Sequence, residues 1–394
     1  MDVKDFLFDI LRWQICGQKS ENLQRELDLE AQISLYKLST AHDLAHIIAN
    51  GLFELGTVLD EKVGAAFRKQ QMIAVFRYEK LKKDFLDICA CFDSANIEYT
   101  PLKGSVLRNY YEHPWMRTSC DIDILVSESN LEAARSLLVE KLGFEDNGKS
   151  SHDVQLFSPA KTHIELHYSL IEVHDLDTSR AILENYPKYS VSGEGARLDF
   201  SDEFFYYFHI DHMAKHFQHG GCGIRPFMDL WVLENKVPHD KQKRESLLQE
   251  GKMLTFANAA TDLMRVWFEG AKHTEITAMM EEYILSGGVY GTLDNFVAMN
   301  QQKRGGKLRY ALSRIFLTHD QLKYMYPILE KHRWLLPVVQ VRRWCRLVFC
   351  GSLRSSLNEL HKNATMDQKE VDKSKVMLEY LQLNQNAEKR QEKI

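Results

Sequence analysis

The sequence predicts an α+β fold in which a compact α+β unit is preceded and followed by helical regions. Apolar residues recur at helical spacing before Asn96, strand-like alternation begins at Ile97, and helical spacing returns after about Asp175. At 394 residues, the chain is expected to contain two or three packing units. We therefore predict an N-terminal helical region (1–95), the α+β unit (96–175), a C-terminal helical domain (176–362) and a charged tail that is either helical or disordered (363–394).

The composition is that of an ordinary globular protein. Its 50 basic and 55 acidic residues give a net charge of −5, which by itself favours no polyanionic partner. No signal segment follows the acidic start at Asp2 and Asp5, and no apolar stretch reaches the about 20 residues of a membrane span. The seven cysteines form no CxxC pair. We therefore expect a cytoplasmic protein with no transmembrane segment, disulfide framework or zinc knuckle.

The N-terminal region is predicted to be helical. Leu81, Phe85, Ile88 and Phe92 follow one another at intervals of four, three and four residues, which places them on one face of a helix. The region contains no proline. This pattern is typical of a helix that packs against a core.

Short strands and one helix are predicted in the α+β unit. The predicted strands are 97–102, 121–126, 154–157 and 163–167, and the last two form a hairpin. A helix is predicted after the second strand, because Ser129 and Glu132 have the spacing of a capping box and Gly143 stands where a C-terminal cap belongs.

Acidic residues are expected to converge on one face of this sheet. Asp121 and Asp123 are two residues apart on a strand and so project to the same side, and Glu165 lies between apolar residues on a neighbouring predicted strand. Carboxylate oxygens are the ligands that Mg²⁺ prefers, together with water and phosphate. The alternatives are solvated acids at a strand end and, for Glu165, an ion pair with Lys161 or Arg117.

A candidate phosphate-binding turn precedes the acidic pair. In Lys103-Gly104-Ser105, the glycine lets the backbone approach phosphate, the serine offers a hydroxyl and the lysine a positive charge. A helix is predicted from Val106 to Tyr111, and Arg117 is expected to bind triphosphate oxygens in bidentate fashion. The alternative is an ordinary strand-to-helix turn with surface bases.

Several histidines are placed near these acids or on one helix face. His163 and His167 share the face of Glu165, so either would contact substrate, exchange a proton or donate to a carboxylate, unless both are structural. His209, His212 and His216 lie at i, i+3 and i+7, which permits zinc but offers no fourth ligand. Lining a cleft or packing in a core explains their spacing as well.

A late segment combines basic and aromatic residues: Trp334, Arg342, Arg343, Trp344 and Arg346. Such a segment is compatible with binding to nucleic acid or to an anionic membrane. A solvated helix face with buried tryptophans is the interpretation we favour from the sequence.

Together, the Gly-Ser turn, the Asp-x-Asp strand and the hydrophobic-Glu-hydrophobic strand resemble the DNA polymerase beta type nucleotidyltransferase superfamily. More narrowly, the sequence resembles the bacterial group named uncharacterised nucleotidyltransferase family over roughly residues 43–347. The narrower resemblance is carried by Leu102-Lys103-Gly104, Arg117 to Val126, His152, Ile164-Glu165-Leu166-His167, His212, His216 and Asp229-Leu230.

The resemblance implies a small nucleotidyltransferase palm with a mixed sheet, which binds Mg²⁺, or alternatively Mn²⁺, and a nucleoside triphosphate such as ATP. It implies Asp121, Asp123 and Glu165 as catalytic metal ligands. The nucleotide-binding residues would be Lys103, Gly104, Ser105 and Arg117. Residues that contact substrate or support the site would be His152, His163, His167, His212, His216 and Asp229.

We therefore expect an Mg²⁺-dependent nucleotidyltransferase that moves a nucleoside monophosphate from a triphosphate to an unidentified acceptor and releases pyrophosphate. The helical flanks are expected to select the acceptor, which is a small molecule, a protein or an RNA. A toxin-like enzyme that modifies RNA or protein would share this chemistry. The alternative from another class is a non-catalytic nucleotide-sensing or scaffold protein that retains the palm.

Overall fold

The computed structural model describes residues 2–172, 177–288, 291–349 and 353–383. The chain forms two compact units, one of residues 1–213 and 223–281 and the other of residues 214–222 and 282–394. The predicted boundary after residue 95 falls inside the first unit, and that after residue 362 inside the second. The boundary predicted after residue 175 and the end of the predicted tail (384–394) lie outside the described residues.

Helices precede the sheet: α1 (Val3–Cys16), α2 (Leu29–Ala41), α3 (Ala45–Glu54) and α4 (Glu61–Ser94). The long helix α4 confirms the prediction from apolar spacing, since Leu81, Ile88 and Phe92 are all buried. Asp60 caps the N-terminus of α4, and its carboxylate accepts hydrogen bonds from free backbone N–H groups of the first turn.

A mixed sheet follows, formed by β1 (Tyr99–Pro101), β2 (Asp121–Val126), β3 (Glu145–Lys149), β4 (Asp153–Phe157) and β5 (His163–His167). The strand order is β1-β2-β5-β4-β3, with β2 and β5 parallel and the other neighbours antiparallel. The predicted β4–β5 hairpin is confirmed. Strand β3 was not predicted, because its polar side chains are all exposed and leave no alternating pattern.

Two predicted helix boundaries in this region are wrong. Helix α5 (Gly104–Leu107) begins two residues before the predicted Val106 and ends early, continuing as a 3₁₀ turn over Arg108–Tyr110. Helix α6 (Leu131–Leu142) is capped by Gly143 as predicted, but the capping box is absent. The chain enters α6 through a 3₁₀ turn, and the Ser129 hydroxyl bonds to that of Ser127.

The two faces of the sheet differ in chemistry. Alternate residues of β2, β4 and β5 are buried in a core with α4 and α6; these strand residues are Ile122, Ile124, Val126, Val154, Leu156, Ile164 and Leu166. Because side chains alternate along a strand, the residues between them project to the other side. We call this side the acidic face; it carries Asp121, Asp123, His163, Glu165 and His167. A shift of one residue would bury these groups in the apolar core, so the core fixes the register.

The chain continues with α7 (Asp177–Glu184), a small hairpin of β6 (Ser190–Ser192) and β7 (Leu198–Phe200), α8 (Asp202–Gln218), α9 (Arg225–Asn235), α10 (Lys241–Glu250), α11 (Leu254–Glu269) and α12 (Glu275–Gly287). These elements belong to the first unit, except that the last residues of α8 and of α12 are counted with the second. Pro226 lies in the first turn of α9, where a helix does not need the backbone N–H that proline lacks.

The second unit contains α13 (Leu293–Arg304), α14 (Lys307–Ile315), α15 (His319–Met325), α16 (Ile328–Lys331), α17 (Leu336–Phe349), α18 (Leu353–Thr365) and α19 (Gln368–Tyr380). The described part of the predicted tail therefore includes a helix, α19. Within the described ranges, no helix combines the length and the apolar character needed to cross a bilayer.

Candidate active site

Three carboxylates and two histidines come together on the acidic face. The parallel register sets Asp121 opposite His163 and Asp123 opposite Glu165. Two groups have ligand atoms that all lie within 4.8 Å of one another: Asp121, His163 and Glu165, and Asp123, Glu165 and His167. Glu165 belongs to both groups. Strand alternation and the β2–β5 register together account for this convergence.

Asp123 is the most enclosed of the three acids, with 4% of its surface exposed. The Nζ of Lys103 donates to its Oδ1 at 2.8 Å, and Nε2 of His167 donates to the same oxygen at 3.0 Å. Burial alone would raise the pKa of Asp123, but Lys103 and His167 hold it well below its usual range. Asp123 therefore remains a carboxylate at neutral pH.

The neighbouring groups have pKa values shifted the other way. Burial, followed by the negative charges of Asp123 and Glu165, raises the pKa of Asp121 to about 6. Burial would lower the pKa of His167, but its hydrogen bonds to Asp123 and Glu165 raise it to about 9. The site thus contains carboxylates of unequal basicity beside a protonated imidazole, a combination typical of acid–base sites.

The turn after β1 brings Lys103 to this cluster. Lys103 has a φ of 44°, which is uncommon for a residue other than glycine. The N–H of Leu102 donates to the backbone carbonyl of Asp123 at 3.0 Å and joins the turn to β2. A Cβ atom on Gly104 would lie 3.3 Å from the Cβ of Ser119, so the close approach of these segments favours glycine. Ser105 follows, half-buried, in α5.

Arg108 is a candidate functional residue that sequence reasoning missed. Its buried guanidinium donates to the Gly104 carbonyl and to the Ser119 hydroxyl, each at 2.7 Å. Burial and the nearby charge of Arg117 lower its pKa to about 10, so it stays charged at neutral pH. Among the described residues, no carboxylate lies within ion-pair distance of Arg108. The one sequence signal was its spacing of four from Gly104, which places both on one side of a helical turn.

Arg117 has a different partner from the one expected. Its Nε lies 2.8 Å from both carboxylate oxygens of Asp229, and its Nη1 donates to the Thr118 carbonyl at 2.6 Å. The Tyr111 hydroxyl also donates to Asp229, at 2.8 Å. All these side chains are buried. This network joins the segment before β2 to α9 and holds the Arg117 guanidinium against Asp229.

The remaining predicted histidines have mixed surroundings. The ring of His152 lies 5.7 Å from that of His167, and its Nδ1 is 3.2 Å from the Ser151 hydroxyl. It can therefore support the site from behind His167. His212 lies on α8 with its ring 6.5 Å from Phe208, and His216, one turn later, belongs to the second unit. Within the described ranges, neither belongs to a group of potential metal ligands.

His209 is a packed histidine that joins α8 to α9. It is buried, and its Nε2 donates to the Pro226 carbonyl at 3.0 Å. Burial lowers its pKa. As the pH falls below about 6.5, the histidine of the unfolded chain takes up a proton, whereas the buried histidine of the folded chain does not. Protonation therefore favours the unfolded state, and the free energy of unfolding falls as the pH falls through this range.

The free energy of unfolding should therefore depend on pH differently in wild type and in His209→Gln. Glutamine keeps an N–H donor but cannot be protonated. The free energy of unfolding in urea should fall less in the variant than in wild type between roughly pH 7 and pH 5. Parallel pH profiles for the two proteins would show that His209 makes no such contribution.

Comparison with known proteins gives one family. Residues 30–269 match the family described as uncharacterised nucleotidyltransferase. No curated protein matches the chain. Among solved structures, the chain is similar to the antibiotic-resistance factor ANT(2'')-Ia, studied in solution, with 10% sequence identity over 49% of this chain and 93% of that chain and a TM-score of 0.26. A similarity of this strength is too weak to transfer a substrate or a mechanism.

Proposed function

This chain belongs to the uncharacterised nucleotidyltransferase family, and from that premise we propose that it is an Mg²⁺-dependent enzyme that transfers a nucleoside monophosphate from a triphosphate to an acceptor. The acceptor oxygen attacks the α-phosphorus, and the bond to the β-phosphate breaks, with its electron pair leaving on pyrophosphate. The observation that carries this proposal is that Asp121 and Asp123 each have a carboxylate oxygen within 4.8 Å of one of Glu165 on the acidic face.

The donor set fits a hard divalent cation. Asp121, Asp123 and Glu165 offer carboxylate oxygens, the ligands that Mg²⁺ prefers. The imidazole of His163 completes the group that contains Asp121 and Glu165, which makes Mn²⁺ the alternative. When bound, the metal would supply Lewis-acid stabilisation of charge on the reacting phosphate.

Other residues of the chain are suited to bind the triphosphate and prepare the acceptor. Lys103 and Arg108 place two positive charges at the turn around Gly104, where they would attract the triphosphate. Ser105 offers a hydroxyl donor at the same turn. Glu165, half-buried between the two groups, would take the proton that the acceptor hydroxyl loses.

Lys103 offers a test of the triphosphate contact. Lys103→Met removes the ammonium while keeping a side chain of similar length, and we expect kcat/KM for the nucleotide to fall by about 10²-fold, the usual cost of losing one preorganised donor. The matched control is Lys161→Met, because Lys161 is exposed and pairs with the exposed Glu145. Equal kcat/KM values for Lys103→Met and wild type would remove Lys103 from nucleotide binding.

The proposal is tested by incubating the purified chain with Mg²⁺ and each α-labelled nucleoside triphosphate in a cell extract. The expected result is pyrophosphate release together with one labelled acceptor, both abolished by EDTA. Metal-dependent nucleotide binding without any labelled product across a panel of extracts and acceptors would instead favour a non-catalytic nucleotide sensor or scaffold.

A further inference from the structure

One helix of the second unit exposes apolar side chains. Val338, Val341 and Val348 of α17 are each more than half exposed, and Phe349 at its end is 84% exposed. Together with Cys345, they lie on one side of the helix by helical spacing. Trp334, just before the helix, is 75% exposed, so the sequence-based expectation of buried tryptophans is wrong for this residue. We call Trp334, Val338, Val341, Cys345, Val348 and Phe349 the outer face of α17.

The opposite side of α17 carries polar groups that face the protein. Arg343 donates to the carbonyls of Ile315 and Arg314 at 3.0 Å, and the Trp344 indole donates to Ile315 at the same distance. These carbonyls end α14 and have no acceptor role inside that helix. Rotating α17 to bury its outer face would leave them unpaired, which is unfavourable. The hydrogen bonds therefore hold the apolar residues outward.

The segment around this face is strongly basic. Residues 331–358 contain no acid and six basic residues: Lys331, Arg333, Arg342, Arg343, Arg346 and Arg354. The whole chain, in contrast, has a net charge of −5. Arg342 and Arg346 are exposed and flank the outer face on one side. Any partner of this surface must accept apolar side chains and positive charge together.

We propose that the outer face of α17 binds the surface of a membrane that contains anionic lipids. Tryptophan, phenylalanine and valine side chains enter the boundary between headgroups and acyl chains, and flanking arginines pair with lipid phosphates. A nucleic acid would use the arginines but gain little from the exposed valines. In a second copy of the chain, the flanking arginines of both faces would repel each other. The helix spans only 14 residues, so it lies on the bilayer.

The test is flotation of the full chain with vesicles of phosphatidylcholine alone or in equal mixture with phosphatidylglycerol. We expect recovery with the mixed vesicles only. Arg342→Glu/Arg346→Glu should weaken binding by at least about 20-fold, because four units of charge change at the lipid surface. Trp334→Ser/Phe349→Ser should weaken it by about 10-fold or more through loss of apolar insertion. All four side chains are exposed, and circular dichroism checks that the fold is retained.

The matched charge control is Lys62→Glu/Lys69→Glu on α4, whose side chains are also exposed; it should bind like wild type. The proposal is overturned if the mixed vesicles recover no protein, or if the α17 variants float like wild type. Binding of a labelled oligonucleotide that is lost in the arginine variant, with normal vesicle binding by the Trp334/Phe349 variant, would favour a nucleic acid and overturn the proposal. A dimer seen by analytical ultracentrifugation and dissociated by the outer-face substitutions, with no protein recovered on vesicles, would favour a second copy and also overturn it.

Discussion

Asp123→Asn is expected to reduce nucleotidyl transfer by about 10³-fold or more while the chain remains folded. Asparagine keeps the shape of the side chain but loses the negative charge that would hold the metal, and metal stabilisation of the reacting phosphate amounts to several kcal/mol. The fold should persist because the partner His167 still has Glu165, whose carboxylate lies 3.4 Å from its Nε2. Pyrophosphate release under saturating Mg²⁺ and nucleotide measures the loss.

The matched control for this variant is Asp146→Asn on β3. Asp146 belongs to the same sheet, but it pairs with Arg135 at a partly exposed position away from the acidic cluster. It should retain the wild-type rate. Turnover of Asp123→Asn at the wild-type rate would remove Asp123 from the mechanism.

Asp229→Ala is expected to lower the free energy of unfolding by about 3–5 kcal/mol, because it leaves the buried guanidinium of Arg117 without a counter-charge. The Tyr111 hydroxyl loses its acceptor as well. Replacing both partners, as in Arg117→Met/Asp229→Leu, should recover most of this loss, because apolar groups of similar size leave no buried charge. Urea unfolding of the single and double variants measures the coupling.

An exposed ion pair provides the comparison for Asp229. Lys83 and Asp87 pair on α4 with side chains that are 74% and 46% exposed, so Asp87→Ala should leave the free energy of unfolding nearly unchanged. If Asp229→Ala were as mild as Asp87→Ala, the buried network would not stabilise the segment before β2.

Local patterns predicted the chemistry of the sheet well. The alternation of Asp121 and Asp123 with Ile122 and Ile124 depends only on strand geometry and on which side is buried, and both are local properties. Glu165 could be placed on a strand by the same reasoning. The parallel pairing that brings it to Asp123 depends on the order of strands in the sheet, which the pattern of one strand does not contain.

Long-range partners could not be predicted in the same way. Arg117 and Asp229 are 112 residues apart in sequence, and nothing near either residue shows that they meet. Arg108 has no motif of its own, and its role follows from the tertiary contact with Ser119. For α17, periodicity shows that the helix has two faces, but only the hydrogen bonds to α14 show which face is turned outward.

We infer that Asp121, Asp123 and Glu165 form one metal-binding cluster on the acidic face. The most direct measurement is calorimetric titration of Mn²⁺, in the presence of a non-hydrolysable nucleotide, into wild type and the variants Asp121→Asn, Asp123→Asn and Glu165→Gln. We predict that the wild type binds the metal and that each variant binds it at least about 10-fold more weakly, as when one carboxylate ligand is lost. Unchanged metal affinity in all three variants, with the fold intact, would contradict the account.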